Sequence, residues 1–167
     1  KKNKYRNVQM PSLEQTKELT ELTVVANYTE VYLAKKGHQG LIGINFLEKL
    51  QIPTLPSIYG AILAGVDYIL MGAGTPARMP SVISELSLNH NCELPIKIAE
   101  ETSKEQVTSF FSPTEFAEGE ELPKLIRPKF LAIVSSVTLA THLHRSSFGS
   151  PDGFVVEAPI AGGHNAP

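Results

Sequence analysis

The chain has 167 residues, 42% hydrophobic and 19% charged, with a net charge of −2. That is enough chain for one domain with a sizeable core, in an ordinary globular balance. The near-neutral charge argues against a nucleic-acid face, since Lys1, Lys2, Lys4 and Arg6 make only a short basic tail.

Residues 13–36 read as a helix, with Ser12 as N-cap and Gln15 three positions on. Leu19, Leu22, Val25, Tyr28 (or Thr29) and Tyr32 recur at helical spacing and make the expected buried stripe. Lys35, Lys36 and Gly37 suit a helix C-terminus, and a break near Val24 and Ala26 is left open. GLIGINF, residues 40–46, is short, apolar and without alternation, the pattern of a strand buried on both faces. Pro53 and Pro56 punctuate the next segment, and residues 57–64 read as a helix between Ser57 and Gly65. VDYILMGAG, residues 66–74, is a second buried strand, and residues 80–88 a helix opened by Pro80. Residues 92–128 carry eight glutamates and four prolines and read as an inserted loop region, with LPIKI a possible strand. KFLAIVSS (129–136), a helix at 137–147 and GFVVEA (153–158) complete the series.

Strands that alternate with helices predict an α/β fold with a parallel sheet and right-handed crossovers. The most apolar window, residues 55–74, is long enough for a bilayer. Asp67, Pro56, Gly60 and Gly65 interrupt it, so a helix and a strand explain it better than a membrane span. A single cysteine, Cys92, excludes an internal disulfide framework and fits a reducing, cytoplasmic setting.

Ligands in such sheets bind at the C-terminal ends of the strands. That rule selects Asn45, Gly72 to Gly74, Ser135 and Ser136, and Glu157 to His164. Two architectures compete. GAGTPA, residues 72–77, matches the G-x-G-x-x-A turn of a doubly wound dinucleotide-binding sheet, and Glu100 and Glu101 offer a ribose-binding acid. Against this, Pro76 removes a backbone N–H where a pyrophosphate would need one. A parallel (β/α)₈ TIM barrel needs about 250 residues, so four confident strands would be a partial portion of one.

The run VVEAPIAGGHNAP, residues 155–167, resembles the strand-end motif of the nitronate monooxygenases, FMN-dependent (β/α)₈ enzymes related to flavin-type enoyl-acyl-carrier-protein reductases. LIGINFL, GVDYILMGAGTPARMP and KFLAIVSSVTLA resemble further family strands in the family's order, and the likeness covers about residue 10 to 167. The resemblance implies about four βα units of a single FMN-binding barrel domain. The family's first glycine-rich strand and its later phosphate-binding half have no counterpart in this sequence. Where related enzymes often carry glutamine, position 157 is Glu157.

The resemblance implies FMN as cofactor and O₂ with a nitronate or nitroalkane as substrates, with no nucleic acid or membrane partner and room for a homodimer. It gives Asn45, Gly72, Gly74, Ser135, Glu157, Gly162 and Gly163 as cofactor-binding residues and His164 as the catalytic residue. The chemistry suits these residue types. Glycines admit a ring against bare backbone, an amide donates and accepts, and an imidazole can take a substrate proton near neutral pH. The plain alternatives are strand-to-helix turns at the glycines, an Asx turn at Asn45, and a helix N-cap at Ser135 or Ser136. Rival functions are an enoyl-thioester reductase using NAD(P)H and a flavin-free binding module. No metal is expected: His142 and His144 do not share a helix face, and His90 with Cys92 is two ligands short of a zinc site.

Overall fold

The computed structural model describes residues 7–98 and 107–161. Helix α1 spans Lys17–Lys35 without a break. It begins later than expected because Thr16 caps it, accepting from the Leu19 N–H at 3.3 Å, while Ser12 donates to the Glu14 carbonyl. Gly37 ends it at φ +86°, as the sequence predicts. His38 adds a second cap. The Gly40 N–H donates to Nδ1 at 2.9 Å, which leaves Nε2 to carry the proton toward the Ala34 carbonyl at 2.6 Å.

The buried stripe of α1 is not the expected one. Leu19 is buried, but the rest of the contact face is Val24 and Val31, and Leu22, Val25 and Tyr32 are about half exposed. The cause lies on the neighbouring helix. Helix α2, Thr54–Leu63, presents Gly60 to α1, and a Cβ there would collide with the Val24 carbonyl. The two helices therefore meet backbone to side-chain-free backbone at Val24, which rotates α1 away from its more regular stripe. Pro53 and Pro56 do not break α2. Pro53 is its N-cap and Pro56 sits in the first turn, where an N–H would have no intrahelical partner.

Strands β1 (Gly43–Leu47) and β2 (Tyr68–Gly72) pair in parallel. Helix α3, Met79–Ser87, follows β2. The region expected to be a loop then forms an antiparallel pair, β3 (Cys92–Pro95) with β4 (Thr108–Phe111), and a one-turn helix α4, Pro113–Phe116. Phe111 and Phe116 pack their rings on Tyr59 of α2 at 5.2 and 6.1 Å, so aromatic contact rather than glutamate content decides this segment. The Tyr59 hydroxyl donates to Asn89, whose amide holds the Pro123 carbonyl. Strand β5 (Lys129–Val134), helix α5 (Val137–His144) and strand β6 (Gly153–Val156) close the order, followed by a 3-10 turn at Pro159–Ala161.

The main sheet runs β1-β2-β5-β6, all parallel. The order contains no reversal, so the crevice that a doubly wound sheet uses for a dinucleotide is missing from this sheet. One core cluster joins α1, α2, α3 and α5 to Ile69, Met71, Phe130, Ala132 and Val134. These residues are in register across the strands, so they share a face, and all four helices cover that face.

The other face carries Asn45, Leu70, Leu131 and Gly153 in one row and Leu47, Gly72, Ile133 and Val155 in the next. No helix covers it among the described residues, and its aliphatic side chains in β2, β5 and β6 are half-buried. Strands predicted to be buried on both sides are thus covered on one. The described chain is an open α/β sheet, not a closed barrel.

Two aspartates fasten the N-terminal end of the sheet in the same way. Asp67, just before β2, donates its N–H to the Ile42 carbonyl and accepts the Ile42 N–H on Oδ2 at 2.8 Å. Asp152, just before β6, makes the same reciprocal pair with Phe130, again at 2.8 Å. Lys35 pairs with Asp67 at 2.7 Å, and Arg127 with Asp152 at 2.9 Å. The Lys35 hydrogen bond and the Ile42 N–H hold the Asp67 carboxyl below its ordinary value. Burial pushes Asp152 up, but the Phe130 N–H and the Arg127 guanidinium outweigh it, and its carboxyl also lies low.

Candidate functional site

The opposite end of the sheet is built differently. Parallel pairing puts residues of one register on one face. Asn45 pairs across to Leu70 and so lies on the open face. Gly72 sits two positions along β2 on the same face, and Ser135 and Glu157 follow the open-face alternation one residue beyond β5 and β6. The Glu157 N–H continues the ladder by donating to the Val134 carbonyl at 2.9 Å. Four separated sequence segments thereby bring predicted residues to one surface.

They are not equally close. Ser135 and Glu157 end adjacent strands, about 4.8 Å apart in the pairing direction. Asn45 lies two rows below, about 13 Å along the strands, and two strands across from Ser135. A ligand that touches both must span roughly 16 Å. Asn45 and Ser135 are exposed and Glu157 is half-buried, so all three are within reach of solvent.

The serine pair divides its work. Ser136 is the N-cap of α5, its Oγ accepting from the Leu139 N–H at 3.2 Å, which leaves Ser135 as the open-face member. The glycines have packing causes. Gly72 is buried, and a Cβ there would fall 3.0 Å from the Ile133 Cβ. At Gly74 a Cβ would collide with the Glu48 carboxylate. Their bareness is thus taken up by neighbouring side chains and makes no open cradle. Ala73 between them takes φ +54°, the left-handed turn that leads out of β2. Gly162, Gly163 and His164 lie outside the described residues.

Sequence reasoning missed Glu48 and Lys97. Glu48, just past β1, donates its N–H to the Gly72 carbonyl and forms an ion pair with Lys97, just past β3. Gln51 grips the Lys97 backbone from both sides, accepting its N–H at 2.7 Å and donating to its carbonyl at 3.1 Å. This ties the inserted hairpin to the C-terminal end of the sheet. The only signal was a lone carboxylate one residue past a strand end, which no spacing rule singles out.

His90 and His144 have structural partners, and Cys92 is a free, buried thiol. His90 pairs with Glu85 at 2.9 Å and His144 with the Ser150 hydroxyl at 2.9 Å. Burial, and then the nearby Glu85 charge, pushes the Cys92 thiol up to about 11, so it carries no thiolate for a metal near neutral pH. Among the described residues no group of three metal-ligating side chains occurs, and no helix is long and apolar enough to cross a membrane. A comparison with protein-family models, with curated proteins and with solved structures finds no match to this chain.

Proposed function

We propose that this chain is part of an FMN-dependent (β/α)₈ oxidoreductase of the nitronate monooxygenase type, acting on nitronate-like carbanions. The observation that carries the reading is the open face. A parallel sheet in sequential strand order, helices on one side only, is the local geometry of a barrel wall. On the other side, glycines stand beside large aliphatics: Gly43 under Leu70, Gly72 under Ile133, Gly153 under Leu131. That small-beside-large arrangement is how side chains from neighbouring strands interleave inside a barrel.

The described residues suit FMN at three points. Asn45 can donate and accept at one end of the ligand, and Ser135 can donate toward the other. Glu157 would face the same ligand with a carboxylate. Gly72 and Gly74 drop out of the set, because Ile133 and Glu48 take the space a ring would need. FMN, when bound, would accept the electrons of the substrate carbanion and pass them to O₂. The part assigned to this chain is to hold the two ends of the cofactor through Asn45 and Ser135 and, where the substrate is the neutral nitroalkane, to take its α-proton on the His164 imidazole and leave the nitronate.

The test is a titration of the purified chain with FMN, followed by flavin fluorescence and the visible spectrum. Saturable quenching with a perturbed flavin band supports the reading, and no binding overturns it for this chain. If FMN binds, anaerobic bleaching by a nitronate supports the monooxygenase. Bleaching by NAD(P)H alone favours the enoyl-reductase class instead.

A further inference from the structure

The helix-covered side of the sheet has its own feature at the C-terminal end. A cavity of about 350 Å³ lies between the loop after β1, the turn into α3 and the end of β3. Met71, Met79, Leu94 and Pro95 give it apolar walls. The volume is at the low end of the roughly 300–1,000 Å³ typical of small-molecule sites.

Three charged side chains line this cavity: Glu48, Lys97 and Arg78. Glu48 and Lys97 neutralise each other as an ion pair. Arg78 has no carboxylate partner among the described residues. Its guanidinium carbon instead sits 4.1 Å from the centre of the Phe148 ring. Cation–π attraction to the ring restrains the guanidinium while its N–H groups can still meet another acceptor. The cavity therefore combines apolar walls with one uncompensated, pre-positioned positive charge.

We propose that this cavity binds a small amphipathic monoanion, a carboxylate on a short alkyl chain, distinct from the ligand of the open face. The carboxylate meets the Arg78 guanidinium in a two-point contact, and the chain lies against Ala77, Leu94 and Pro95, with the buried Met71 and Met79 in the same wall. Neither acetate, which lacks the chain, nor octanol, which lacks the charge, satisfies both halves of the site.

The chain holds three methionines, and they make a built-in reporter. Met71 and Met79 line the cavity, whereas Met10 is 81% exposed and remote from it in sequence. With ¹³C-methyl-methionine label, octanoate should shift the Met71 and Met79 methyl signals saturably and leave Met10 still. Acetate and octanol should require at least about tenfold more ligand. Arg78→Gln should weaken octanoate about tenfold or more, Arg78→Lys less so, and neither should alter octanol binding. Arg78 is exposed, so both variants should fold, which the unshifted free spectrum checks. The proposal is overturned if the two methyls stay still at about 10 mM octanoate, well above a millimolar dissociation constant. It is equally overturned if all three methyls move together, or if Arg78→Gln binds octanoate as well as the parent. No flavin is needed, so the outcome is independent of the proposed flavin chemistry.

Discussion

On the helix side of the sheet, Ile69, Met71, Phe130, Ala132 and Val134 are at most 3% exposed. On the other side, Leu70, Leu131, Ile133 and Val155 come from the same strands and are only half-buried. The residue types hardly differ. The helices do: α1, α2, α3 and α5 all lie on one side. One face therefore supplies the stability of the fold, and the other is left for something else to cover. Its glycines, and its polar residues at Asn45, Ser135 and Glu157, set it apart from a second core. The same contrast runs from end to end. The N-terminal end is fastened by Asp67 and Asp152 in matching backbone pairs, while the C-terminal end carries the open-face residues and the Arg78 cavity.

The largest effect should come from the covered face. Phe130→Ala should cost about 3–5 kcal/mol in urea unfolding, because a fully buried ring leaves a cavity. Ile133→Ala, on the open face, should cost less than half of that. Equal costs would mean that the open face is packed in solution, and the comparison would fail. Next in size is Gly60→Ala, at about 1–3 kcal/mol, since the added methyl must push α1 away at the Val24 carbonyl. A neutral result would show that the two helices can slide apart freely.

The two aspartates predict a pH dependence. Both carboxyls lie below their ordinary values in the folded chain. Their contribution is therefore complete above the unfolded carboxylate value near 4, and is lost as pH falls through the lower native values. Asp67→Asn with Asp152→Asn should flatten the acid side of a stability–pH curve and leave its neutral-to-alkaline shape alone. An unchanged acid limb would assign that limb to other groups. The smallest effect on stability is expected at Asn45→Ala, within about 0.5 kcal/mol for an exposed side chain. Under the proposed function, the same change should weaken FMN binding several-fold. A large stability loss with unchanged FMN binding would move Asn45 from the ligand to the fold.

The four strands of the main sheet were legible because each is a compact apolar run with glycine, serine or proline at one or both ends. Gly37 and Gly65 were legible as helix ends, and both take positive φ. The buried face of α1 was not. Its sequence offers two apolar stripes, and Gly60, thirty or more residues away, selects the less regular one. The hairpin in the glutamate-rich region was hidden for a related reason, since Phe111 and Phe116 gain their place only against Tyr59. At the candidate site, strand-end position alone picked out Asn45, Ser135 and Glu157. It could not separate a glycine kept bare for a ligand from one kept bare for a neighbour. Gly72 and Gly74 are of the second kind, and only the positions of Ile133 and Glu48 reveal it.

Local pattern alone determined the α/β class, the parallel strands and the end of the sheet where a ligand would gather. Those properties depend on residues close together in the chain, through strand propensity, capping and the length of the crossovers. Which face is buried, which glycines are occupied and which cavity-lining cation lacks a carboxylate partner among the described residues were decided by tertiary structure. Each depends on contacts between distant segments, as when Phe148 meets Arg78 or Lys97 meets Glu48. No periodicity within a segment encodes a partner that lies in another.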